Sequence, residues 1–162
     1  MAALAIAVVA LIVATVSAAI SARQLREARK ANAFPAAIDL FREFRDPAFV
    51  ADRRLLLREL ENCDPAFGMS GLPDGVNQAA FRVSHYLDNV GVLVAHKLID
   101  PEIAVSFLGA SALNLWQALK EFIRRERVLR SYDDYQMHFE HLAATVDALK
   151  LDSGRLGWRK MP

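Results

Sequence analysis

The chain has 162 residues, a formal net charge of +1, 54% hydrophobic residues and a single cysteine, Cys63. These values bound it to one modest domain and exclude an internal disulfide or a multi-cysteine zinc site. Near-neutral charge also argues against bulk electrostatic binding of nucleic acid.

The charge is unevenly placed. Residues 1–22 contain no Asp, Glu, Lys, Arg or His. At about 1.5 Å per helical residue, Ala2 to Ala22 covers roughly 30 Å, the hydrocarbon thickness of a bilayer. The sequence therefore predicts a transmembrane anchor over 1–22. A cleaved signal peptide is the competing reading, since Val16-Ser17-Ala18 resembles a small-residue cleavage site. Against it, no Lys or Arg precedes the apolar run, whereas Arg23, Arg26, Arg29 and Lys30 follow it with only Glu27 to offset them. Positive residues stay inside, so the amino end is expected outside and residues 23 onward in the cytoplasm.

Small residues recur within the run at Ala10, Ala14, Ala18 and Ala22, with Ser17 and Ser21 beside them. Such a strip lets a second backbone approach closely, which suggests a transmembrane partner or self-association. An alanine-rich composition produces the same spacing by chance. Arg23, Arg26, Arg29 and Lys30 form a membrane-surface cluster, and attraction to anionic lipid is sufficient to explain them. Residues 23–34 read as a basic extension of the anchor helix, interrupted at Asn32 and Pro35.

From 35 to 151 the apolar residues repeat at three and four positions and nowhere alternate, so an all-α bundle of about five to six helices is expected. A first helix carries Ile38, Phe41 and Phe44. Asp46-Pro47 reads as a cap with proline at the first helical position, opening a helix with Phe49, Val50, Leu56, Leu57 and Leu60. Cys63 to Gly75 is the longest loop. A central helix from about Val76 to Leu98 shows the clearest seam, at Val76, Ala80, Val83, Leu87, Val90, Val94 and Leu98, with a second apolar side at Phe81, Val92 and Ile99. Gly91 beside the seam would permit a close crossing. Asp100-Pro101 starts a short helix, Gly109 ends it, and a longer helix runs to about Leu129. After a turn at Ser131 to Asp134, a last helix presents Tyr135, Phe139, Leu142, Val146 and Leu149. A tail over 152–162 reads as flexible unless Trp158 docks it.

Few residues point to chemistry. His138 and His141, three apart, have the spacing for a shared metal, but helical geometry turns both away from the Phe139 face, and no third ligand follows. A solvated face is the preferred reading. His85, Asp88 and Asn89 could be drawn as an acid-base group, yet no nucleophile or phosphate-binding motif accompanies them, and a helix-packing histidine is the preferred reading of His85. Cys63 beside Asp64 has no reason to be an activated thiol. Glu126 and Arg130 fall on the same face as Ala112, Leu115, Leu119, Phe122 and Ile123. Either the helix has left the core there, or an ion pair closes the end of the bundle.

Tyr86, Asn89, Val90 and Gly91, then Ile99-Asp100, Trp116, Phe122-Ile123, Arg127, Phe139-Glu140 and Leu142, together resemble an uncharacterised bacterial family of membrane-anchored helical proteins, a domain of unknown function. The chain departs from it at His96-Lys97, where a glycine is expected before Leu-Ile-Asp. The resemblance implies an anchored helical domain and a bacterial source, and supplies no activity.

The expected function is that of a single-pass inner-membrane protein whose cytoplasmic helical domain binds another protein, as accessory subunit or scaffold of a membrane complex. Its expected partners are membrane lipid and either another membrane protein or a second copy through the small-residue face, with no nucleic acid and no cofactor. The alternatives are a membrane-tethered metal-dependent hydrolase, using His138, His141 or His85, and a signalling or phage-defence component.

Overall fold

The computed structural model describes the backbone of residues 2–155 and the side chains at 11, 13–25, 28, 35 and 38–149. All regular structure among these residues is helical. Six α-helices follow one another: α1 (Ala2–Phe44), α2 (Pro47–Glu59), α3 (Asp74–Ala95), α4 (Pro101–Leu108), α5 (Ala110–Arg130) and α6 (Met137–Arg155).

The first departure from expectation is α1, a single helix of 43 residues that runs through Pro35. Proline removes one N–H and so one bond to the carbonyl four residues earlier. Alanines on both sides, at 31, 33, 36 and 37, are the best helix formers and carry the helix past the lost bond. The apolar run and the first bundle helix are therefore continuous.

The second departure concerns the membrane span. Among the described residues, no helix is long and apolar enough to cross a membrane. The side chains of residues 1–10, nearly half of the apolar run, lie outside the description. The rest, Leu11 to Ala22, is roughly 18 Å long at helical rise, against about 30 Å of hydrocarbon.

Caps begin two of the other helices as the sequence predicts. Asp46 Oδ1 accepts from Ala48 N at 2.8 Å and from Phe49 N at 3.4 Å, and Asp100 Oδ1 accepts from Glu102 N at 2.8 Å. The same Asp-Pro device recurs at Asp64-Pro65, where Asp64 Oδ1 accepts from Ala66 N at 2.9 Å. It opens one of two 3₁₀ turns, Pro65–Phe67 and Met69–Gly71, inside the segment expected to be loop. That segment is not idle: Met69 and Leu72 are buried in the core.

The core confirms the central position of α3. Val76, Ala80, Val83, Leu87 and Val90 are buried, whereas Val94 is half-buried and Leu98 lies exposed beyond the helix end. α3 packs most extensively on α6 and next on α2, and α5 packs on α6 and α2 as well. α2 and α6 thus both bridge α3 and α5. Leu56, Leu115, Leu119, Ile123, Phe139, Leu142 and Val146 fill the space between them.

The helix ends show two further differences. α3 stops at Ala95, and Lys97 adopts φ 57°, with Lys97 N donating to Val94 O and Leu98 N to Leu93 O. This is the left-handed helix terminus that glycine favours. The glycine expected from the family resemblance belongs at this step; here a lysine accepts the strained conformation. α6 begins at Met137 rather than at Tyr135 and continues to Arg155, past the expected start of the tail. Residues 156–162, including Trp158, lie outside the described residues.

Candidate functional site

The small-residue strip is on the surface where described: Ala14, Ser17, Ala18, Ser21 and Ala22 are exposed. Ala10 lies outside the described side chains, as do Arg26, Arg29 and Lys30 of the basic cluster; Arg23 is exposed. None of the described ones is drawn into the bundle.

The histidines do not converge on a site. His138 is half-buried where α6 crosses α3, and its ring lies 6.4 Å from that of His96, centroid to centroid. A β-carbon added at Gly91 would collide with the His138 carbonyl. The predicted close crossing is real, and α6 approaches α3 there through backbone. His141 is exposed, facing away from the core. His85 is also exposed and lies between two rings, Phe81 at 5.7 Å and Tyr135 at 6.4 Å. Among the described residues, no group of three or more His, Cys, Asp or Glu is arranged to hold a metal ion.

Asp88, drawn in the sequence beside His85, has a different task. Its Oδ1 accepts from Phe139 N at 2.9 Å. A helix start leaves several N–H groups without intrahelical partners, and α6 draws a carboxylate for one of them from α3. Spacing along one helix could not reveal this, because the partner is 51 residues away.

The end of α5 carries the main buried charge. Glu126 is 1% exposed. It accepts from Ser70 N at 3.0 Å, from Ser70 Oγ at 2.5 Å and from Arg130 Nε at 2.6 Å. Burial works against its charge, but the two Ser70 bonds and the Arg130 guanidinium outweigh burial and hold the carboxyl below its usual range. Gly68 lies against the same carboxylate, with φ 66°, and a β-carbon there would sit 2.5 Å from Glu126 Oε2. Of the two readings open in the sequence, the ion pair that closes the bundle is the observed one. Arg130 also lies over Tyr135 at 5.0 Å and Phe81 at 5.7 Å. Beside it, Arg127 donates to Tyr135 O and to Glu140 Oε2, both at 2.8 Å. Arg127 and Arg130 are thus both committed to structure. Cys63 is half-buried, and its Sγ donates to Glu59 O at 3.4 Å.

The joint between α1 and the bundle was not legible as a site. Tyr86 Oη donates to Leu40 O at 2.8 Å, and burial pushes its hydroxyl pKa upward. Arg53 lies 4.0 Å over the Phe44 ring and donates to Phe44 O at 3.2 Å. Phe41 stacks on Phe107 of α4 at 4.0 Å. On one side of that stack an open groove is lined by Ile38, Arg42, Arg45 and Pro47, and on the other by Glu102, Ile103 and Ser106. Arg45 lies 5.0 Å over Phe107. The only advance signal was Ile38, Phe41 and Phe44 at helical spacing, which reads equally well as core.

The polar residues that carry the family resemblance are mostly satisfied: Tyr86, Asp100, Arg127 and Glu140 each have the hydrogen bonds described above, and Asn89 is exposed to solvent. No curated protein and no solved structure matches the chain. A family model does match, over residues 5–146, from within the apolar run to the buried face of α6. The chain belongs to that family, described as a domain of unknown function, DUF4760.

Proposed function

We propose that this is a single-pass inner-membrane protein, amino end outside, whose cytoplasmic helical domain binds another protein as an accessory subunit or scaffold of a membrane complex. The observation that carries the reading is the exposure of α1. Leu11, Val13, Val16 and Ile20 are 69%, 58%, 52% and 52% exposed. At about 100° per residue Val13, Val16 and Ile20 lie within about 60° on one side, Leu11 lies opposite, and the exposed Ala14, Ala18 and Ala19 fill the sides between. A helix that is apolar on every side belongs in a large core or in lipid, and the bundle does not cover this one. The basic residues after Ala22 supply the orientation. The family model begins at residue 5, so the apolar run is part of what the family shares, which supports a retained anchor over a cleaved leader.

Membrane fractionation of the full chain followed by carbonate extraction tests the anchor: retention in the pellet is expected, and release into the soluble fraction overturns it. A reporter enzyme active only in the periplasm, fused after Pro162, is expected to stay silent. Blue-native electrophoresis after mild detergent extraction tests the interaction, and migration as a lone monomer overturns that part.

A further inference from the structure

α1 and α6 both run past the bundle, and they do so at the same end of it, which α4 marks. Phe44 of α1 lies beside Tyr86 in the middle of α3, and Phe41, one turn earlier, stacks on Phe107 of α4. Followed back towards its amino end, α1 therefore leaves the bundle on the α4 side. α6 starts level with Asp88, whose Oδ1 accepts from Phe139 N, and goes on to pack against α4 as well. Among the described side chains of α6, full burial ends at Val146 and Leu149 is half-buried, yet the helix continues to Arg155, about 13 Å beyond Val146.

The two extensions match in length. Leu40 to Arg23 is about 26 Å of helix, and Phe139 to Arg155 is about 24 Å. Their starting levels are fixed by Tyr86 and Asp88, which are neighbours on one turn of α3. The end of α6 is thereby carried to roughly the height of the basic cluster on α1. The chemistry matches too. From 150 to 160 the sequence holds Lys150, Arg155, Arg159 and Lys160 against Asp152 alone, with Trp158 among them. Cations are drawn to an anionic leaflet, and tryptophan favours the interface between hydrocarbon and headgroups.

We infer that the segment from Lys150 to Lys160 contacts the anionic surface of the leaflet from which α1 emerges, through Arg155, Trp158, Arg159 and Lys160. The inference deepens the proposed function and takes from it the position of the membrane. A lipid surface is the occupant because the course of α1 places it beside the end of α6, so the contact continues the one already made by Arg23 and its neighbours. Trp158 and Lys160 lie three and five residues past Arg155, a reach of at most about 18 Å, which spans the remaining distance to the headgroups. The chain would then meet the membrane twice, and the bundle between the two contacts would keep its α4 end towards the lipid.

The chain has two tryptophans, so Trp116→Phe leaves Trp158 as the only one. The full Trp116→Phe chain is reconstituted into vesicles of phosphatidylcholine, with or without phosphatidylglycerol. Flotation and carbonate extraction first read insertion, and failure there overturns the membrane reading itself. In inserted protein, Trp158 emission is expected to shift to the blue and to be quenched several-fold more by lipids brominated near the headgroups when phosphatidylglycerol is present. Arg155→Glu, Arg159→Glu and Lys160→Glu together are expected to return Trp158 to water-exposed emission without changing insertion. Inserted protein whose Trp158 stays unquenched in anionic vesicles overturns the inference alone and leaves these cations to an acidic partner protein. Equal quenching with and without phosphatidylglycerol also overturns it. If Trp116→Phe fails to fold by circular dichroism, an environment-sensitive fluorophore at Met161→Cys in a Cys63→Ser background gives the same readings.

Discussion

α1 and α3 are both long helices rich in apolar residues, and they dispose of that surface in opposite ways. α3 buries its seam from Val76 to Val90 against α6 and α2, and accepts a backbone crossing at Gly91. α1 spends only its last turn on the bundle and leaves Leu11, Val13, Val16, Ile20 and Leu25 exposed. A three-and-four repeat says that a face is apolar; it does not say what covers the face. In α3 the same chain supplies the cover. In α1, among its described side chains, the chain supplies cover only at the last turn.

This contrast can be broken or sharpened by substitution, reading the unfolding of the full chain in mild detergent. The largest effect is expected at Gly91→Ala, which drives a methyl group into the His138 carbonyl and costs about 3 kcal/mol. An unchanged midpoint there would mean that α6 does not cross α3 so closely. Next comes Glu126→Gln, expected to cost roughly 2 kcal/mol at neutral pH by weakening the Ser70 and Arg130 bonds. The folded-state pKa of Glu126 lies below its ordinary value of 4.5, so its charge contributes stability that is fully present above that value. That contribution is lost as pH falls through the folded pKa. The gap between wild type and Glu126→Gln should therefore close on acidification below 4.5, and a gap that stays constant there refutes the assignment. Lys97→Gly relieves a left-handed lysine and should stabilise by roughly 0.7 kcal/mol, after allowing for the greater freedom of glycine in the unfolded chain. Smallest of all, Leu11→Ala is expected to leave the unfolding of the bundle within about 0.5 kcal/mol of wild type. A larger loss would show that the α1 surface is covered by the bundle after all.

Much of the architecture was legible because local chemistry fixes it. Asp-Pro at 46–47 and 100–101 opens helices for reasons contained in two or three residues, and the α5 face from Ala112 to Ile123 follows from helical periodicity. What escaped depends on distant partners. Asp88 reads as part of an acid-base group until Phe139 N arrives from another helix. Glu126 has two readings until Ser70, 56 residues away, approaches it. Pro35 reads as a break because proline usually is one, and the flanking alanines decide otherwise. The joint at Phe41, Phe44, Arg53 and Phe107 was hidden because aromatic residues at helical spacing look alike in a core and at the edge of a groove.

The joint also sets a mechanical relation. α1 has 43 residues, about 64 Å of helix, and is clamped at one end by Leu40, Phe41 and Phe44. It is therefore a long arm on a short bearing. A rotation of about 10° at the clamp displaces a point 36 residues up the helix by roughly 9 Å at helical rise. Small adjustments in the stacking of Phe41 on Phe107, or of Arg53 on Phe44, are thus converted into large changes in where the bundle hangs relative to the far end of the arm.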